Sequence, residues 1–80
     1  MADEKLIELI KVDPRIMNGH ACIRGTRIPV SLVLDCLAGG MSEAEIMEQY
    51  PSLTVTGIRA AAAYGSLLAR EEVLPTSVLA

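Results

Sequence analysis

Ser42-Glu43-Ala44-Glu45-Ile46-Met47-Glu48-Gln49-Tyr50-Pro51-Ser52-Leu53-Thr54-Val55-Thr56-Gly57-Ile58-Arg59 is the stretch on which the fold turns. Ser42 and Glu45 have the spacing of a capping box, in which two side chains satisfy each other's orphan backbone donors at a helix start. Met41 and Ile46 flank that start as a hydrophobic staple. The helix so begun runs to Tyr50 and stops at Pro51. Thr54 is a good N-cap for another helix, with Leu53 and Ile58 again at staple spacing. Gly57 stands where a Glu or Gln would complete the box. Helix, short turn and longer helix in succession match a helix-turn-helix, whose second helix enters the major groove.

Working outward, the second of these helices extends to about Glu71, with Val55, Ile58, Ala62, Gly65 and Leu68 tracing one expected face. On the N-terminal side, Val30, Val33, Leu34 and Leu37 fall at i, i+3, i+4 and i+7, the stripe of an amphipathic helix. Gly39-Gly40 ends it through a left-handed glycine. Further upstream, residues 6–12 fit either a short strand or one helical turn, and Asp13-Pro14 stops them. Asn18-Gly19 marks a turn. Residues 21–23 and 27–30 flank Arg24-Gly25-Thr26 and are expected to pair as a small hairpin. The expected fold is therefore mainly α, a three-helix, homeodomain-like helix-turn-helix core with a short N-terminal β segment. Its divisions are an N-terminal segment at 1–9, the domain at 10–70 and a short apolar tail at 71–80.

Composition narrows the functional classes. Tyr50 and Tyr64 are the only aromatics among 80 residues, so the core must be built from Leu, Ile, Val, Met and Ala. A core that small favours extra burial by self-association, and a homodimer is expected. No apolar run approaches the roughly 20 residues of a membrane span, and residues 1–5 show no signal-peptide pattern, which points to the cytoplasm. Cys22 and Cys36, without CxxC spacing, read as reduced thiols. His20 and Cys22 lack the further ligands a metal site needs. No nucleophile–base–acid set, phosphate loop or cofactor motif can be assembled, so the chain reads as a binding protein and not an enzyme.

Net charge is −3, against the basic balance usual for nucleic-acid domains. Its distribution is uneven: residues 14–34 hold Arg15, Arg24 and Arg27 and no acid. The candidate binding residues follow. Arg24-Gly25-Thr26-Arg27 brackets a Gly-Thr turn with two guanidiniums suited to phosphate or carboxylate. The same arginines could instead fasten the N-terminal segment by pairing with Asp13 or Asp35. In the longer helix, Thr56 could reach base or phosphate and Arg59 could reach a guanine edge. Glu43, Glu45 and Glu48 on the preceding helix would repel phosphates if they faced DNA. An ordinary packed helix pair with a solvated acidic face carries similar weight.

Taken together, Asp13-Pro14-x-Ile16, Gly19-x-x-x-Ile23-Arg24-Gly25-Thr26-Arg27-Ile28-Pro29-Val30, Gly40-Met41-Ser42, Tyr50-Pro51-x-Leu53-Thr54 and Ile58-Arg59-Ala60-Ala61-x-Ala63-Tyr64 resemble the bacterial domain-of-unknown-function family 433 over residues 10–68. The resemblance implies a homeodomain-like helix-turn-helix. It also implies an antitoxin of a type II toxin–antitoxin pair, partnered with a PIN-domain ribonuclease toxin. His20-Ala21-Cys22 departs from the basic residue and proline common there, and Gly57 from an acidic residue. Two functions are therefore in view. One is a dimeric DNA-binding module using Arg24, Thr26, Arg27, Thr56 and Arg59; the other is a protein-interaction module using the acidic helix and the tail.

Overall fold

The computed structural model describes residues 4–15 and 19–70. The tail expected at 71–80 and Asn18 of the expected Asn18-Gly19 turn lie outside the described residues, while Gly19 has φ +80°. Six elements follow one another: α1 (Glu4–Ile7), β1 (Ile10–Val12), β2 (Ala21–Ile23), α2 (Val30–Ala38), α3 (Glu43–Gln49) and α4 (Val55–Arg70). The class is mainly helical with a small antiparallel sheet near the N-terminus, as expected.

The ambiguous stretch at 6–12 belongs to both alternatives. The Leu9 N–H bonds the Leu6 carbonyl at 3.0 Å to close the turn of α1, and the chain then extends as β1. The expected hairpin of 21–23 with 27–30 forms only in part. β2 pairs with β1, with Ile10 opposite Ile23, Lys11 opposite Cys22 and Val12 opposite Ala21. Contact with the other side is limited to one bridge, Cys22 with Pro29, and the Ile23 N–H donated to Ile28 at 3.0 Å. Proline has no N–H to extend a ladder, whereas β1 offers donors and an apolar Ile10 for the core.

The helices start and stop as local chemistry dictates. In α2 the left-handed residue is Gly40 (φ +92°), while Gly39 remains helical (φ −77°). Met41 then bonds back to Cys36 and Gly40 to Leu37, the two bonds of a Schellman stop. The capping box of α3 is complete: Ser42 N–H donates to Glu45 Oε1 at 2.9 Å, and Glu45 N–H donates to Ser42 Oγ at 3.1 Å. At α4, Thr54 Oγ1 accepts from the Gly57 N–H at 3.0 Å. Gly57 is buried there, and a Cβ on it would lie 3.3 Å from Ile23 Cγ2. A side chain here would require Ile23 to give by a few tenths of an ångström, so glycine suits the close approach of α4 to β2.

The capping box yields a prediction. Ser42→Ala removes one acceptor and should destabilise the protein by about 1 kcal/mol, read from the urea midpoint near neutral pH. The Ser42 backbone N–H and hydroxyl hold the Glu45 carboxyl below its ordinary value of 4.5. A folded value below the unfolded one gives stability that is present above the unfolded value and lost as pH falls through the folded value. S42A keeps the backbone donor, so only the hydroxyl's share of its penalty should fade as pH drops below 4.5 and through the folded value.

α4 is the organising helix, touching α1, both strands, α2 and α3. Its buried positions are Gly57, Ile58, Ala60, Ala61 and Ala63. This corrects the expected face, because Ala62 is exposed and Leu68 is half-exposed at 47%. With neighbours on several sides, α4 buries a wide arc written mostly in Ala and Gly, which allow close approach. Ile46, Ile58 and Val33 fill the centre, at 0%, 1% and 1% exposure, and no polar side chain is buried among the described residues.

Candidate functional site

The arginine turn is built from its own backbone. Thr26 N–H bonds the Ile23 carbonyl at 3.0 Å, and Gly25 sits at φ +83°, the conformation a tight turn asks of its third residue. Thr26 Oγ1 donates to the Ile23 carbonyl at 2.8 Å and accepts from the Ile28 N–H at 3.0 Å. Thr26, expected at the binding surface, is thus engaged within the turn. Arg24 Nε donates to the Glu8 carbonyl at 2.8 Å and fastens α1 and β1 to the end of β2. The acceptor is a backbone oxygen and neither Asp13 nor Asp35.

Asp13 is taken by Arg15 instead. Arg15 gives its backbone N–H (2.9 Å) and Nε (3.2 Å) to Oδ1, and a terminal nitrogen (3.2 Å) to Oδ2. Those bonds hold the Asp13 carboxyl below its ordinary range, with Lys11 adding a small further pull. Arg27 is exposed and makes no ion pair among the described residues. Of the expected contacts near the strands, Arg27 is therefore the unencumbered guanidinium, and Arg24 keeps only its terminal nitrogens.

On α4, Thr56 and Arg59 are both exposed. Arg59 shares its side of the helix with Ala62, Ser66 and Arg70, opposite the buried arc. Arg59 Nε meets Glu43 Oε2 at 3.3 Å, with the two side chains 65% and 38% exposed. Of the α3 acids, Glu43 is the one that engages Arg59, the guanidinium expected to reach a guanine edge. Such an exposed pair contributes less than about 1 kcal/mol and opens readily. Arg24 and Arg27 belong to the β2–α2 turn, Thr56 and Arg59 to the first turns of α4. Ile23 against Gly57 is where these two segments touch.

Two concavities were not foreseen. A small one, about 20 Å³, lies over the outer face of the sheet and is lined by Lys11, Asp13, His20, Cys22, Arg24 and Thr26. A larger open groove, about 300 Å³, runs between α2 and α4 beside the start of β2, bounded by Ala21, Val30, Leu34, Tyr64, Gly65 and Leu68. Lys11 carries no signal in the linear sequence, and His20 reads there only as an incomplete metal ligand; the strand register brings them beside Arg24. Cys22 and Cys36 are free thiols. Among the described residues no helix is long and apolar enough to cross a membrane.

Comparison with known proteins agrees with this architecture. A crystal structure of a DUF433 member protein from Anabaena variabilis ATCC 29413 matches with a TM-score of 0.72 and 28% sequence identity, over 86% of this chain and 79% of that one. The "Uncharacterized protein y4eO" of Sinorhizobium fredii (strain NBRC 101917 / NGR234) is 39% identical over 57 residues, 71% of this chain. The chain spans about a quarter (26%) of that relative's length. The sequence model of the family described as "Protein of unknown function (DUF433)" matches residues 10–65, most of the chain. The chain belongs to the DUF433 family.

Proposed function

We propose that this chain is a DNA-binding module of the helix-turn-helix kind, a small regulator that works by binding and not by catalysis. The observation that carries the reading is the presentation of α4. Its first turns expose Thr56 and Arg59 while α2 and α3 pack behind them, with residues 50–54 as the turn between α3 and α4. In helix-turn-helix modules the second helix enters the major groove by its N-terminal residues. Arg27 and the terminal nitrogens of Arg24 would hold phosphates. Two copies on half-sites one helical turn apart would double the contact, and a homodimer is the form we assign. The free Cys22 and Cys36 suit a reducing compartment, so we place its action in the cytoplasm.

The α2–α4 groove favours a second reading. Its apolar walls suit a protein partner, and the family resemblance names one kind: a PIN-domain ribonuclease toxin, with this chain as the antitoxin. The groove and the exposed start of α4 are separate surfaces, so a partner in the groove is compatible with DNA on α4.

Fluorescence anisotropy with the upstream DNA of its own gene, across a salt series and against a scrambled duplex, tests the first reading. Sequence-preferring binding that weakens steeply with salt is the expected result, because each phosphate contact releases counterions. Absence of binding at low salt would discard the DNA reading and leave the groove as the working surface.

A further inference from the structure

We infer that the outer face of the two-stranded sheet is a phosphate seat formed by Lys11, His20 and Arg24. It rests on the DNA reading only for the natural source of the phosphate. The argument starts from register. Side chains alternate along a strand, so pairing Ile10 with Ile23 toward the core puts Lys11 and Cys22 together on the opposite face. His20 and Arg24, two residues either side of Cys22, fall on that same face. They surround a pocket of about 20 Å³ that Asp13 and Thr26 complete.

The donors at its rim are uncommitted. The Lys11 side chain forms no hydrogen bond or ion pair among the described residues, and the Arg24 terminal nitrogens remain once Nε is given to Glu8. The His20 ring has no partner; only its backbone carbonyl is used, by the Cys22 thiol at 3.5 Å. The one acid lining the pocket, Asp13, stays charged, and Arg15, bonded to both its oxygens, offsets that charge. With Asp13 offset by Arg15, the charges of Lys11 and Arg24 and donors from two strands suit an oxyanion. A space of about 20 Å³ admits one water-sized atom. One phosphate oxygen would enter, and the others would stay at the rim under Lys11 and Arg24. A phosphate monoester, inorganic phosphate or a backbone diester presents the same oxygens.

The test is a nitrogen–proton NMR titration of the full chain with inorganic phosphate at constant ionic strength, repeated on Lys11→Glu and His20→Ala, with Arg70→Gln as control. Fitted shifts clustered at Lys11, Cys22 and Thr26, weakened roughly tenfold or more by K11E and unchanged by R70Q, are expected. Retained dispersion of the K11E spectrum, or the same loss in H20A, keeps the result independent of folding. A parallel duplex titration separates the sources. If phosphate binds here and K11E also weakens the duplex, the seat serves DNA. If phosphate binds but no duplex does, the seat stands for a free phosphate ligand and the DNA reading falls. Phosphate shifts that miss this face, or that neither variant alters, overturn the seat whatever the duplex does.

Discussion

Ile58→Ala is expected to lower the unfolding free energy by about 3–4 kcal/mol, the range for emptying a buried aliphatic site. Ile58 is 1% exposed, in the helix that every other element touches. A domain of this length has roughly 4–12 kcal/mol in total, so the substitution removes between about a quarter and all of it. The change also exchanges Ile for a better helix former, a gain of less than about 0.7 kcal/mol that cannot offset the cavity. Ile58→Val, losing one methyl group, should cost about 1 kcal/mol. Urea melts of the three proteins with a common slope would establish the grading. Equal midpoints would mean that the core is not organised around α4.

The sensitivity follows from how little large-ring surface the chain has. Ile46, Ile58 and Val33 are the largest fully buried side chains, and Ala60 and Ala61 are wholly enclosed beside them. Alanine and glycine provide little apolar area of their own, yet they bring backbones together so that the few large aliphatics make their contacts at full density. Gly57 against Ile23 is one such approach. Removing one large aliphatic therefore removes a greater share of the core than it would in a domain with Phe and Trp to spare.

The same economy explains which parts of the fold the sequence discloses. The capping box at Ser42 and Glu45, the cap at Thr54 and the glycine stop after α2 are encoded within a few residues, and the structure has each of them. The buried face of α4 is written in Ala and Gly, which carry almost no hydrophobic contrast, so a stripe drawn through Ala62 and Leu68 looked as good as the real one. The partner of β2 depends on contacts made across the chain, and the nearby segment at 27–30 was the natural local choice. Arg24 bonds a backbone carbonyl, an acceptor every residue possesses and no side chain advertises. Glu43 and Arg59 both stand in the first turns of their helices. That matched placement is the one linear cue to their pairing, and it becomes informative only once α3 and α4 are known to pack.

Replacing Arg27 and Arg59 together by alanine is expected to weaken duplex binding on the order of 100-fold at low salt, from two contacts of about 1–3 kcal/mol each. The two single variants should differ in kind. Arg27→Ala removes a phosphate contact, so affinity should fall alike on specific and scrambled duplexes, with the salt slope reduced by about 1. Arg59→Ala removes a base-reading contact and should narrow the gap between the two duplexes. Both residues are exposed, and the Glu43 bridge is a surface pair, so melting should barely change. Glu43→Gln supplies the converse: with Arg59 released and one repelling charge gone, affinity should rise several-fold while stability stays within about 0.5 kcal/mol. A duplex affinity indifferent to all three substitutions would remove α4 from the interface, because no other exposed arginine lies in its first turns.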